Sequence, residues 1–243
     1  MVIYGINPVL EALHAGRVRR IRVGARADKR IEVALAIARS RGIAIERAET
    51  QALDRAARGG AHQGIVADLE AVAKYSIKDL VAGAAPDPPL IVVLDGVEDP
   101  HNLGAVIRTV DAAGAHGIVR QERRAAALDG IAAKASAGAI AHVRIATVVN
   151  IARAIEELKE AGLWTVGFAG DAADSYDAVD FTLPTALVAG GEGEGLRRLT
   201  RERCDRLVAI PMRGAVSSLN VSVAVGVALF EAARQRRAGS GKI

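Results

Sequence analysis

The sequence predicts an α/β protein, a Rossmann-like parallel sheet with helices on both faces, preceded by a smaller α/β unit. Three observations predict it. Short apolar runs that read as buried strands alternate with helix-length segments through the last two-thirds of the chain. Three glycine-rich segments, residues 95–108, 187–195 and 210–220, each follow such a run, and ligands of open α/β sheets bind where such loops cluster, at the carboxyl ends of the strands. A proline-rich stretch at 84–89 (Ala-Ala-Pro-Asp-Pro-Pro) separates this region from an earlier segment with strand and helix signals of its own.

The earlier segment, residues 1–73, reads as a small α/β unit. Residues 7–15 suggest a short helix with Pro8 in its first turn, where a missing N–H costs nothing. Residues 19–23 alternate like a strand. Residues 31–41 carry Ile31, Leu35 and Ala38 at helical spacing and end at Gly42. A strand at 43–45, a helix at 50–58 and a strand at 64–69 complete the unit. Residues 74–89 read as a linker, because the prolines at 86, 88 and 89 exclude a regular element and favour extended backbone.

The second unit, residues 90–243, opens with Leu90-Ile-Val-Val-Leu94, an uninterrupted apolar run typical of a buried parallel strand. Strands are expected at 117–119, 143–145, 164–167, 186–188 and 207–210. Helices are expected at 109–113, 132–137, 151–161 and 219–235. The last of these is apolar nearly all round its first turns, so burial on every side is expected.

Composition narrows the function classes. Hydrophobic residues make up 51% and aromatics only 3%, so the core must be built from Ala, Val, Ile and Leu. No apolar run reaches the ~18 residues that span a bilayer, and the N-terminus lacks the charged and apolar regions of a signal peptide. The single cysteine, Cys204, excludes an intrachain disulfide. The five histidines show no metal-ligand spacing. A cytoplasmic protein without metal is the expectation. The net charge of +4 is unevenly placed: residues 1–73 hold 12 Lys and Arg against 8 Asp and Glu, whereas the remaining 170 residues are balanced at 20 each. The densest basic run is Arg17, Arg19, Arg20, Arg22, Arg26, Lys29 and Arg30. Such a run suits nucleic-acid phosphates, and it also suits a solvated face.

The glycine loop at 190–195 does not have Gly-x-Gly-x-x-Gly spacing, and Glu192 and Glu194 would repel a pyrophosphate. A dinucleotide or nucleoside-triphosphate site is therefore disfavoured. Ser218 lacks the Gly-x-Ser-x-Gly elbow of a hydrolase nucleophile. Read singly, the other polar groups admit plain roles. Asn102 could cap a helix, Arg108 could form a surface salt bridge, Glu192 could be a solvated turn residue, and Ser218 and Asn220 could open the final helix.

Together the three segments resemble the motifs of the SpoU (TrmH) family of RNA ribose 2′-O-methyltransferases, over residues 89–237. Asn102, Gly104 and Arg108 match Asn-x-Gly-x-x-x-Arg; Gly190, Glu192, Gly193 and Gly195 match Gly-x-Glu-Gly-x-Gly; residues 210–222 match Ile-Pro-Met-x-Gly-x-x-x-Ser-Leu-Asn-Val-Ser. The likeness is closest to the branch acting on large-subunit ribosomal RNA. It implies the SPOUT fold, a Rossmann-like sheet whose C-terminal chain forms a trefoil knot, with S-adenosylmethionine as cofactor. It implies that residues 1–73 are a substrate-binding domain resembling RNA-binding ribosomal proteins and that residues 90–243 are catalytic. It places Asn102, Arg108, Glu192, Ser218 and Asn220 in the catalytic set and Gly190, Ile210 and Leu219 at the cofactor; by its opposite charge Glu192 is the expected partner that holds the Arg108 guanidinium. Arg17, Arg19, Arg20, Arg22 and Arg124 are the expected RNA contacts. Arg124 stands in Arg-Ala-Ala-Ala-Leu, where the family often has serine in second place. The final helix is expected in a homodimer interface. The expected reaction is methylation of a guanosine ribose in 23S ribosomal RNA. Transfer RNA as substrate, or an RNA-binding assembly factor without catalysis, are the alternatives.

Overall fold

The structure is a computed structural model that describes residues 2–25, 28–69, 74–128 and 130–240. Arg26 of the basic run and the expected domain boundary at residue 73 fall outside the described residues.

The chain begins with β1 (Val2–Tyr4), α1 (Ile6–His14), β2 (Val18–Val23), α2 (Lys29–Ser40), β3 (Ala44–Arg47), α3 (Thr50–Ala56) and β4 (Ile65–Leu69). Their strands form a four-stranded sheet in the order β1-β4-β2-β3, antiparallel except for the β2–β3 pair. On β2, Ile21 and Val23 are fully buried while Arg20 and Arg22 take the opposite face, as period-two alternation requires. β1 was not legible in the sequence because three residues carry no measurable period.

The expected linker contains a helix, α4 (Ile77–Ala82). Ser76 and Asp79 form a reciprocal capping box at its start, and Ile77 and Leu80 are buried against the larger sheet. Local capping and two apolar side chains fold this segment; the prolines begin only after it. The chain continues through β5 (Leu90–Asp95), α5 (Pro100–Ala113), β6 (Gly117–Gln121), α6 (Gly130–Ala135), β7 (Ile145–Val148), α7 (Ile151–Glu160), β8 (Trp164–Phe168), β9 (Asp174–Ser175), β10 (Thr185–Gly190), α8 (Arg198–Arg203), β11 (Arg206–Ala209) and α9 (Val221–Ser240). A short 3₁₀ turn at Ala139–Ala141 precedes β7, which therefore starts two residues later than expected.

The second sheet has seven strands in the order β7-β6-β5-β10-β8-β11-β9, and every recorded pairing is parallel. Helices cover both of its faces, so β5 is buried at all six residues. From β5 the chain runs outward through β6 and β7; β8, β10 and β11 lie on the other side. The direction reverses between β5 and β10, and the carboxyl ends of those two strands are where such a sheet binds ligands. Gly104 lets α5 lie close to α6: a Cβ there would sit 2.4 Å from the Ala135 Cβ and 2.7 Å from the Ala132 carbonyl oxygen. Buried apolar residues of both units join one hydrophobic cluster, from Ile3 and Val9 through Leu103 to Leu229.

The final helix departs from expectation. Val225, Ala228, Leu229 and Ala232 are buried, but Val223 and Phe230 are 49% and 53% exposed. Within one chain α9 therefore keeps an uncovered apolar face.

Candidate active site

Asp99 caps α5, accepting from the His101 amide at 2.9 Å, and Pro100 occupies the first turn. Asn102 is therefore not the cap. Its side chain leaves the helix and joins the three glycine-rich segments. The Asn102 amide Nδ2 donates to Glu192 Oε1 in the loop after β10. The Asn102 Oδ1 accepts from Asn220 Nδ2, just before α9, at 3.0 Å. Asn220 in turn caps α9, its Oδ1 accepting from the Ser222 amide at 2.9 Å and hydroxyl at 2.6 Å. One asparagine thus ties together loops 90 and 118 positions away in the chain.

The loop after β10 is possible only with glycine. A Cβ on Gly190 would lie 2.0 Å from the backbone of Gly195, and one on Gly191 would lie 2.2 Å from the Gly96 carbonyl oxygen. No side chain fits at such distances. The Gly191 amide donates to the Asp95 carbonyl at 2.9 Å, and the Gly195 amide to the Gly191 carbonyl at 3.2 Å.

Two cavities flank this loop. The larger, about 550 Å³, lies over the ends of β8, β10 and β11, and Gly190, Ile210, Ser218, Leu219 and Asn220 all line it. Its walls mix apolar side chains with exposed backbone. Asp171, also at this cavity, is held by Arg201 in a two-armed pair at 2.8 and 2.9 Å, which keeps its carboxyl below the usual carboxylate range. The smaller cleft, about 480 Å³, lies over the ends of β5 and β6 and is lined by Arg124. Glu192 and Glu194 border both cavities.

Arg108 behaves differently from expectation. It is exposed on α5, lines neither cavity, and makes no hydrogen bond or ion pair with the described residues. The expected Glu192 pairing is replaced by the Asn102 contact, because α5 starts at Pro100 and Arg108 lies about 240° round the axis from Asn102.

The expected RNA contacts divide. Arg20 and Arg22 both pair with Asp68 on β4, Arg20 at 2.6 Å and Arg22 at 2.8 Å, and Arg20 also reaches Glu46. Their charge is largely spent within the sheet. Arg17 donates to the Ala141 carbonyl at 3.4 Å and so bridges the two units. Arg19 is exposed with no partner among the described residues.

Sequence reasoning missed a polar cluster beneath the smaller cleft. The Asp95 carboxylate is fully buried and accepts from the Arg197 backbone amide at 3.0 Å, from its Nε at 2.7 Å and from its Nη2. Arg197 Nη2 also donates to Gln121 Oε1. Partners 102 and 76 positions apart leave no local signal. Among the described residues no group of three or more His, Cys, Asp or Glu is arranged to hold a metal, and no helix is long and apolar enough to cross a membrane.

Known proteins agree with this arrangement over nearly the whole chain. Residues 89–230 match the model of the SpoU rRNA Methylase family, and residues 2–75 match that of RNA 2′-O ribose methyltransferase substrate binding. The 23S rRNA (guanosine-2′-O-)-methyltransferase RlmB of Yersinia pestis is 46% identical over 239 residues, covering 97% of each chain. Its Escherichia coli K12 counterpart is 44% identical over 241 residues, 97% of this chain and 98% of the relative. The crystal structure of the SpoU methyltransferase AviRb from Streptomyces viridochromogenes, in complex with AdoMet, superposes with a TM-score of 0.81 at 27% identity, over 98% of this chain and 91% of that one. With motifs, sheet order and full-length similarity in accord, this chain belongs to the SpoU rRNA methylase family.

Proposed function

We propose that this protein transfers the methyl group of S-adenosylmethionine to the ribose 2′-hydroxyl of a guanosine in 23S ribosomal RNA. The observation that carries the reading is the Asn102 bridge, which gathers Glu192 and Asn220 at the donor cavity. The full-length likeness to RlmB, including the substrate-binding unit, supports ribosomal rather than transfer RNA.

The residues fit the donor. The cavity wall formed by Gly190, Gly191, Ile210 and Leu219 offers shape and apolar contact for an adenosine, and the carboxylates of Glu192 and Glu194 complement a sulfonium. When bound, S-adenosylmethionine supplies an electrophilic methyl group. The protein's own task is alignment, which can contribute about 7–11 kcal/mol in such transfers. Asn102, Ser218 and Asn220 position the sugar beside the donor cavity. Within one chain Arg108 lines neither cavity; across the homodimer contact its always protonated guanidinium reaches the partner's cavity, to steady the oxygen as it gives its proton to solvent or to hold an adjacent phosphate.

The exposed Val223 and Phe230 on α9 belong to a homodimer contact, which brings the substrate-binding units of two chains to one RNA. Residues 1–73 deliver RNA, with Arg19 a cation of the basic run that has no partner among the described residues. Incubation with methyl-labelled S-adenosylmethionine and either unmodified 23S rRNA or bulk tRNA tests the substrate. Label in 23S rRNA is expected; label in tRNA alone would move the enzyme to the tRNA branch, and none in either would leave an RNA-binding factor.

A further inference from the structure

Buried Asp95 and Gln121 and the solvent-reaching Arg197 form more than a local ion pair. Arg197 satisfies Asp95 with three donors and spends the remaining reach of its Nη2 on Gln121 Oε1. That bond fixes the orientation of the Gln121 amide, which is 5% exposed. Its Nε2 then donates to the Arg123 carbonyl and, at 3.1 Å, to the Arg124 carbonyl. The same loop is gripped twice more. Arg120 Nη2 donates to the Ala126 carbonyl at 2.5 Å, and the Ala126 amide donates to the Val97 carbonyl at 2.9 Å.

Held this way, Arg124 adopts φ of 52°, a left-handed conformation that a non-glycine side chain rarely takes without outside support. Arg124 is exposed, has no hydrogen bond or ion pair among the described residues, and lines the smaller cleft. Arg197 also stands at the exit of the glycine loop, on the N-cap of α8. It therefore fixes two walls of the cleft, the loop of residues 191–195 and the loop of Arg124. The carboxylates of Glu98, Glu192 and Glu194, which also line this cleft, oppose a phosphate inside it, so Arg124 is the group that can meet a phosphodiester oxygen of an RNA strand passing over the cleft toward the donor cavity.

We infer that Gln121 and Arg197 are positioning residues for RNA: anchored on Asp95, they hold the Arg124 guanidinium toward a phosphate of the substrate strand. The inference rests on the methyltransferase reading above and adds residues that none of the three motifs contains.

A double-mutant cycle on the full-length protein tests it. Gln121→Met keeps the volume and the Asp95–Arg197 pair but removes the two donors to the loop. Filter binding to in vitro transcribed 23S rRNA, without donor, should weaken about five- to tenfold, the scale of one or two lost hydrogen bonds. Arg124→Ala should weaken it similarly, and the double variant no further than Arg124→Ala alone. Affinity for S-adenosylmethionine by calorimetry should stay within about twofold of wild type, since Gln121 does not line the donor cavity. Additive losses, or an equal loss of donor affinity, would overturn the inference and show a merely structural role. If Gln121→Met does not fold, Arg197→Lys carries the same cycle, retaining a cation on Asp95 without the arm to Gln121. A wild-type protein that binds 23S rRNA but never methylates it would sink the function instead, and the coupling of Gln121 to Arg124 would still be readable.

Discussion

A single asparagine decides whether three distant loops make one site. Asn102 uses both ends of its amide, donating to Glu192 and accepting from Asn220. Asn102→Ala should cut methyl transfer about 100-fold, the size of effect seen when a reacting group is misplaced by an ångström, and should leave the melting temperature nearly unchanged because the side chain is not in the core. Steady-state turnover beside a thermal melt checks both. Arg108→Ala should abolish transfer while folding and donor binding persist; wild-type turnover in that variant would remove it from the reaction. At Cys204, burial pushes the thiol from 9.0 up to about 12, so the fold favours the neutral form. The stability this contributes is complete below pH 9 and is lost as pH rises toward 12. Native protein at pH 8 should therefore resist a thiol reagent, and urea-unfolded protein should release one thiol per chain.

At the scale of elements, the glycine loop is a backbone-on-backbone contact. Gly190→Ala would force a methyl to 2.0 Å from Gly195, so the loop must open, and affinity for S-adenosylmethionine should fall at least about tenfold, as loss of shape in a preformed pocket implies. Gly104→Ala wedges α5 from α6 and should destabilise by about 1–3 kcal/mol, measured by urea unfolding. These loops, the buried strand β5 and the strand–helix alternation were legible because glycine runs and apolar runs are local signals. Other elements were hidden for physical reasons. α8 reads Arg-Leu-Thr-Arg-Glu-Arg and has no apolar stripe. α4 was masked by the prolines behind it, although its capping box is local. The pairing of Glu192 with Arg108 was expected from opposite charge alone, and the true start of α5 turns Arg108 away. Asp95, Arg197 and Gln121 could not be found at all, since nothing near each of them in the chain announces its partners.

The whole molecule joins a substrate-binding unit to a donor-binding sheet through a shared core and the Arg17–Ala141 contact. The basic character of the first unit is smaller on the surface than in the sequence, because Asp68 absorbs Arg20 and Arg22. Arg19→Ala should therefore weaken binding to 23S rRNA and reduce its salt dependence, by about one unit of slope in log affinity against log salt, more clearly than Arg22→Ala. The uncovered face of α9 leads to a further expectation: Phe230→Asp should convert a dimer to a monomer in sedimentation velocity and lower RNA affinity without harming donor binding.

The central claim is that three converging loops hold a methyl donor against a ribose oxygen. Its most direct measurement is the chemical position of the transferred label: 23S rRNA methylated in vitro from methyl-labelled S-adenosylmethionine, hydrolysed with alkali and resolved by mass spectrometry. The label is expected in an alkali-stable dinucleotide beginning with 2′-O-methylguanosine, because a methylated 2′-oxygen cannot attack the adjacent phosphate. Label recovered on a base in ordinary mononucleotides, or a donor that binds yet leaves every ribose unmethylated, would contradict it.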